Sequence, residues 1–331
     1  MKERDIRPKD LFGKFLQLTR ESTEEYFCHR KGFIEVRCPA CDDNRKKKEF
    51  DKFSFTYVTC NRCGSLYNSP RPSMEALNAY YESSKAAEFW SDTFYRKTED
   101  ERREKIFLPR ARLISEIAEK YGVDRTDTFA DIGPGYGTFL QVIKKMDYFQ
   151  DIIGIEPNPK FAQACRDKGI NVINKPVEGI EEGEVKAGIV VAFDLLEHLF
   201  SPYRFLMTVQ NVLKKAGVLY FTMPNVSGFD IQVLWEKSDN VYPPHHINLL
   251  SFEGVKLLLS RSGFEIVEIS TPGKLDLDIL KNSIKEDSSI EIPRFVSYML
   301  NQRDETTHQI FQNFLHENNL SSHLSCIAVK K

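Results

Sequence analysis

Apolar residues recur along this chain in two modes that alternate. Short continuous runs, TFADI at Thr128–Ile132, DIIGIE at 151–156, GIVVAF at 188–193 and VLYFTM at 218–223, have the length and β-branched content of strands buried on both faces. Between them the spacing turns helical, from Thr138 onward and again over 157–168, where Phe161, Ala164 and Cys165 fall on one face. Further along, Ser251 caps a helix that Gly263 ends, and 264–271 alternates as another strand. Upstream, 74–121 reads as helix with few breaks, opened by Ser73 as its cap and rich in aromatics (Tyr80, Tyr81, Phe89, Trp90, Phe94, Tyr95). A short amphipathic helix is expected over 11–18. Helical patterns also occupy 276–284 and 294–315. Strands alternating with helices predict an α/β fold with a parallel, doubly wound sheet and a ligand at the strand carboxyl ends.

The turn Gly133-Pro134-Gly135-Tyr136-Gly137 connects the first of these strands to a helix, which offers bare backbone and a helix N-terminus to a ligand. A nicotinamide or flavin site would carry G-x-G-x-x-G, its third glycine permitting close helix–strand packing. Gly133 and Gly135 fit that spacing, but Thr138 holds the third position and the extra glycine comes early, at Gly137. Asp131, two residues before the first glycine, completes an acid-x-Gly-x-Gly-x-Gly pattern. This pattern resembles the first motif of the class I S-adenosylmethionine-dependent methyltransferases, and the resemblance covers 103–271 and the C-terminal residues.

The resemblance implies a Rossmann-like seven-stranded sheet whose last strand, 324–329, returns antiparallel, with 272–321 as a helical insertion before it. The expected organisation is a helix and cysteine module over 1–73, a helical connector or lid over 74–122, the core over 123–271 and 322–331, and the insertion between. Carried onto this chain, the family's pattern lines the methionine side of the cofactor with Gly133, Gly135 and Gly137, above Asp131. Glu156, ahead of Pro157, is an acid at the second strand's end that can accept from both ribose hydroxyls. Val177 and Glu178 would lie near the adenine, and Asp194 and Leu195 near donor and acceptor. His198 would face the site or cap a helix.

Two Cys-x-x-Cys pairs, Cys38/Cys41 and Cys60/Cys63, have the spacing of two knuckles closing a tetrahedron around Zn2+. All four positions are thiols, so the metal would be structural; four buried free cysteines are the alternative. Residues 50–59 between the pairs suit a hairpin. Cys28 and His29 fit no knuckle, and Asn44-Arg-Lys-Lys-Lys48 reads as a solvated loop.

Composition narrows the partners. Hydrophobic residues make up 41 % and charged residues 28 %, with a net charge of −2, so nothing draws the whole chain to nucleic acid or acidic membranes. The first ten residues are charged rather than signal-like, no apolar run is long enough to span a bilayer, and seven cysteines suit reduced thiols, which together predict a cytoplasmic protein.

Catalytic candidates lie in Asn240-Val-Tyr-Pro-Pro-His-His-Ile-Asn248, where two prolines stiffen a loop carrying Tyr242, His245 and His246. A neutral imidazole there, titrating near operating pH, would serve as general base. The stretch is similar to one in methyltransferases of cell-surface sugar pathways, including deoxysugar C-methyltransferases with an N-terminal zinc module. That likeness implies a sugar or nucleotide-sugar acceptor. An RNA methyltransferase using the zinc module to bind RNA is the rival reading; the charge balance and Asp194-Leu-Leu-Glu197 after the fourth strand argue against it. A zinc-dependent scaffold without activity is the third, opposed by the intact glycine set. The sequence carries no signal for oligomeric state.

Overall fold

The apolar runs become the middle of a seven-stranded sheet in the computed structural model, which describes residues 2–331. In chain order the strands are β1 (Lys46–Lys52), β2 (Phe55–Cys60), β3 (Leu66–Asn68), β4 (Thr128–Ile132), β5 (Asp151–Ile155), β6 (Asn171–Ile173), β7 (Ala187–Phe193), β8 (Leu213–Pro224), β9 (Asn248–Leu249), β10 (Phe264–Ser270) and β11 (His323–Lys330). The large sheet has the order β10-β11-β8-β7-β4-β5-β6. Strands β8, β7, β4, β5 and β6 run parallel, and β11 slots antiparallel between β10 and β8. This is the sheet the sequence predicts, including its antiparallel last strand and the helical insertion ahead of it. The chain order reverses between β4 and β7, the switch point beyond whose carboxyl ends sheets of this kind bind their ligands.

Period-two alternation decides what covers each face. Ala130, Ile132, Val190, Ala192 and Phe221 join Phe205, Leu206 and Val209 of helix Pro202–Val212 and Leu258 and Leu259 of helix Phe252–Arg261. Their neighbours in sequence, Phe129, Ile189, Val191 and Tyr220, meet Ile114 and Ile117 of helix Leu108–Lys120 and Phe139 and Ile143 of helix Thr138–Met146 on the other side. Each Val, Leu, Ile or Phe among them, taken fully from water, contributes about 1.5–3 kcal/mol.

A second sheet has the order β1-β2-β3-β9. Its first three strands belong to the cysteine module, but β9 directly follows the loop that carries His245 and His246. Leu66 pairs with Leu249 and Tyr67 with Asn248. The module and the core loop are therefore one sheet.

Several expected bounds shift. The amphipathic helix expected over 11–18 is the first half of Lys9–Phe27, whose Phe12, Phe15 and Phe27 enter an aromatic core with Phe55, Tyr80, Phe94 and Tyr242. The lysines expected in a loop, Lys46 to Lys48, open strand β1. Helix Pro159–Asp167 starts two residues later than expected, because Asn158 caps it by accepting from Lys160 N and Phe161 N, and Pro157 stays outside. The pattern at 294–315 is two helices, Arg294–Gln302 and Glu305–Glu317, split where Asp304 accepts from Thr307 N at 2.8 Å as a new cap. With helix Asp276–Glu286 they bury Leu277, Leu280, Val296, Leu300 and Leu315 against Leu234 of helix Phe229–Leu234.

Candidate functional site

At the end of β4 the chain turns through three left-handed glycines, Gly133, Gly135 and Gly137, at φ +75°, +55° and +69°. Gly133 lies against Leu195, whose methyls stand 3.5 and 3.6 Å from where a Cβ would be. Gly137 faces inward: a Cβ there would sit 2.7 Å from Cys165 Sγ, so close packing on helix Pro159–Asp167 is what demands glycine at this position. Of the three, Gly133 and Gly135 are the more open to solvent.

Two carboxylates lie beneath this turn. Glu156 accepts from Gly135 N (3.1 Å) through Oε2 and from Asn158 N (2.9 Å) through Oε1, which leaves lone pairs on both oxygens for a diol. Burial raises its carboxyl to about 7, against those two hydrogen bonds. Asp131, 2 % exposed, is pushed up to about 8 by burial and by Glu156, although the Arg110 charge opposes the rise. Asn174, unmarked by any sequence pattern, joins them by donating to Glu156 O (2.8 Å) and Pro157 O (3.0 Å). Of the two expected adenine neighbours, Val177 is buried in the core and Glu178 is exposed to solvent.

The helical connector roofs the turn. Tyr95 stacks on Tyr136 with ring centroids 5.3 Å apart, and Tyr136 Oη donates to Ser91 O at 3.0 Å. Glu99 accepts from Thr138 Oγ1 (2.6 Å) and Lys168 Nζ (2.9 Å). Two π-helical turns, Trp90–Tyr95 and Arg103–Phe107, interrupt the connector here, a widening of the helix often found beside ligands.

Asp194 begins the next part of the site, at the end of β7, with a strained φ of +50°. Its Oδ1 accepts from Thr222 Oγ1 at 3.0 Å and lies 3.9 Å from His323 Nδ1, and its Oδ2 is 3.8 Å from Arg110. The side chains of Asp194 and His323 keep 47 % and 39 % of their surface although protein surrounds both, which marks the wall of a recess. Burial pushes the Asp194 carboxyl up, but His323, Arg110 and Thr222 together bring it below its ordinary value. Arg102 reaches the same recess. It donates to Thr98 Oγ1 and Ile6 O, lies over the rings of Trp90, Phe94 and Tyr95, and forms no ion pair among the described residues. Burial, together with the charges of Arg7 and Arg110, lowers its pKa to about 10. Arg102 and His323 stand outside the sequence motifs above. Both belong to this recess, and only the pairing of β11 with β8 brings His323 there.

Beyond Asp194 stand the loop histidines. His245 is enclosed by Phe15, Tyr80, Tyr81 and Tyr242 at ring distances of 5.2–5.5 Å, and its Nε2 meets Tyr80 Oη at 3.2 Å. His246 Nδ1 donates to Asn240 O at 2.7 Å, and His198 Nδ1 to His245 O at 2.8 Å. The sequence reading expects here an imidazole titrating near neutrality. Burial instead drives His245 well below the ordinary range and His246 to about 3, so neither ring collects a proton near pH 7. Burial likewise pushes the Tyr242 phenol well up, which keeps it protonated and unfit as a base.

The cysteine module holds this loop. Cys38 and Cys63 Sγ are 3.6 Å apart and Cys41 and Cys60 Sγ 3.5 Å, all four buried within 4.8 Å of one another. Tetrahedral Zn–S bonds of ~2.3 Å place sulfurs at about 3.8 Å, so the donor set fits zinc. From the module, Tyr57 Oη donates to His246 O (2.8 Å), and Arg71, 1 % exposed, donates to Ile247 O and Phe200 O.

No curated protein matches this sequence. Among solved structures, the chain is similar to a candidate sarcosine dimethylglycine methyltransferase from Galdieria sulphuraria, at 15 % identity over 68 % of this chain and 86 % of that one, TM-score 0.47. It is similar to the plantazolicin methyltransferase BpumL in complex with SAH, at 16 % identity over 73 % and 92 %, TM-score 0.46. An S-adenosylmethionine-dependent methyltransferase from Archaeoglobus fulgidus matches at 18 % identity over 66 % and 94 %, TM-score 0.43. A family profile described as a methyltransferase domain matches residues 97–269, a span that begins in the roof, contains the glycine turn, both carboxylates and the histidine loop, and ends in β10. That span is more than half of the 331 residues, and the chain belongs to the methyltransferase-domain family.

Proposed function

We propose that the chain transfers a methyl group from S-adenosylmethionine to an anionic small-molecule acceptor, a sugar carried on a nucleotide or a unit of a surface polysaccharide. The observation that carries this reading is the buried pair Asp131 and Glu156 under the glycine turn, opening onto a recess that holds Arg102 without a counterion. S-adenosylmethionine supplies a methyl on a positively charged sulfur, displaced in line by the acceptor atom. Asp131 faces the ammonium and Glu156 the ribose hydroxyls, while Tyr95 and Tyr136 keep water out from above. Arg102 and Arg110 fix the acceptor's acidic group. His323, turned toward Asp194, takes the acceptor's proton; His245, held by Tyr80, positions the acceptor rather than titrating. The zinc-bound module acts by holding the loop through β3 and β9.

The lysines that would favour RNA are engaged elsewhere. Lys46 pairs with Glu35, Lys47 with Glu49 and Lys48 with Asp51, so β1 presents no free basic stripe. A panel of nucleotide sugars incubated with methyl-labelled S-adenosylmethionine tests the proposal. Label transferred to a nucleotide sugar supports it. Label transferred only to RNA, or no binding of S-adenosylmethionine by calorimetry, overturns it.

A further inference from the structure

A second group of metal-ligand side chains lies outside the cysteine module. Glu197, His198 and His246 each offer one donor atom, all within 4.8 Å of one another, and Glu197 and His246 are buried. We propose that these three residues bind a divalent cation of the kind that takes imidazole and carboxylate ligands.

The first observation is the state of Glu197. It is 1 % exposed, and its Oε2 has no hydrogen-bond partner among the described residues. An oxygen that could be ionised is rarely left in that condition unless something else completes it. The second observation is how the two rings are held. His198 Nδ1 faces His245 O and His246 Nδ1 faces Asn240 O, at 2.8 and 2.7 Å. A carbonyl only accepts, so each Nδ1 carries the hydrogen and each Nε2 keeps its lone pair. Imidazoles that ligate metals are oriented by this same donation from the other ring nitrogen.

The third observation is rigidity. Ile247 N and Asn248 N both donate to Glu197 O, at 3.0 and 3.1 Å, so the two segments that bring the ligands are already joined. One carboxylate and two imidazoles suit manganese, iron(II) or zinc, and with three protein ligands coordination positions stay open. The four thiols are a different donor class, which makes the two centres separable by choice of metal. The proposal does not depend on S-adenosylmethionine being the methyl donor.

The test uses the full chain with its four thiols kept loaded by one equivalent of zinc, titrated with Mn2+, a cation with little preference for thiolates. Mn2+ binding is followed by calorimetry and by loss of the free-ion electron paramagnetic resonance signal. The wild type should bind one equivalent, and Glu197→Gln and His246→Gln should each weaken binding roughly tenfold or more. A melting curve for each variant shows whether it folds, and His198→Gln, only half-buried, replaces His246→Gln if that variant does not. A wild type that takes up neither Mn2+ nor a second equivalent of zinc would overturn the proposal, and so would variants that bind as tightly as the wild type.

Discussion

Cofactor binding should release protons, and the amount follows from two side chains. In the free protein the Asp131 carboxyl titrates at about 8 and that of Glu156 at about 7, both raised chiefly by burial. The titratable groups facing them are Arg110, which lowers Asp131, and Tyr95 and Cys165, which are themselves pushed up. A ligand that sets an ammonium near Asp131 and hydroxyls on Glu156 needs both carboxyls ionised. The fraction with both ionised is roughly one in a thousand at pH 6 and roughly one in five at pH 7.5. Apparent affinity for S-adenosylmethionine should therefore rise about 200-fold across that range, about 3 kcal/mol. The ligand's own α-amino group, with an ordinary value of about 7.7–8.0, is still mostly protonated at pH 7.5 and trims this rise by less than about twofold. Calorimetry at each pH, repeated in buffers of different ionisation enthalpy, reads both the affinity and the proton count. At pH 7 more than one proton should leave per ligand bound. Asp131→Asn should bind more weakly at pH 7.5 and show only the shallower dependence of Glu156. Affinity that stays flat from pH 6 to 7.5, with no dependence on buffer, would refute the reasoning. In the free protein the same pair has the opposite effect on folding. The native state holds protons that the unfolded chain has released, so stability falls as pH rises from the ordinary carboxylate range to about 8, and bound ligand should remove that slope.

Other perturbations follow from the same geometry. Gly137→Ala should destabilise the protein by about 1–3 kcal/mol, because the position combines a φ of +69° with a 2.7 Å approach to Cys165 Sγ; Cys165→Ala in the same chain should restore the steric part, read from melting curves of the four-member cycle. Cys60→Ser should release zinc and lower methyl transfer by an order of magnitude or more, with cofactor affinity nearly unchanged, since β3 holds the histidine loop and touches no residue of the glycine turn through that pairing. His323→Ala should lower kcat by roughly 10²–10⁴-fold and flatten the pH–rate profile, while His245→Ala should chiefly raise KM for the acceptor. Arg102→Met should weaken an acidic acceptor while sparing its uncharged analogue, as measured by the ratio of kcat/KM for the two.

The parts of this molecule written in short range were readable from the sequence. Continuous apolar runs marked β4, β5, β7 and β8, and the early glycine at Gly137 separated this turn from a dinucleotide fingerprint. The cysteine spacing brought Cys38, Cys41, Cys60 and Cys63 within reach of one ion. What stayed hidden depends on pairing between distant segments. Strand β9 has two residues and no pattern of its own, so nothing foretold that the cysteine module would extend its sheet to the histidine loop. His323 reaches Asp194 only because β11 lies beside β8, and Glu197 becomes an orphaned carboxylate only when the loop closes over it. The expectation for His245 and His246 failed on burial: residue type suggested a base near neutrality, and a cage of Phe15, Tyr80, Tyr81 and Tyr242 removes that property. The helix at Pro159–Asp167 and the break at Asp304 were misjudged by a cap each, as Asn158 and Asp304 compete with the periodic signal around them.

The central claim is that the glycine turn and its two carboxylates receive an adenosine bearing a positively charged sulfur. Parallel calorimetric titrations of the full chain at pH 7.5 with S-adenosylmethionine and with NADH test it most directly. The account predicts saturable one-to-one binding of S-adenosylmethionine, lost in Gly133→Val, where the β-branched side chain is strained at φ +75° and crowds Leu195, and no heat from NADH. Binding of NADH at this turn, or no binding of S-adenosylmethionine by a folded protein, would contradict it.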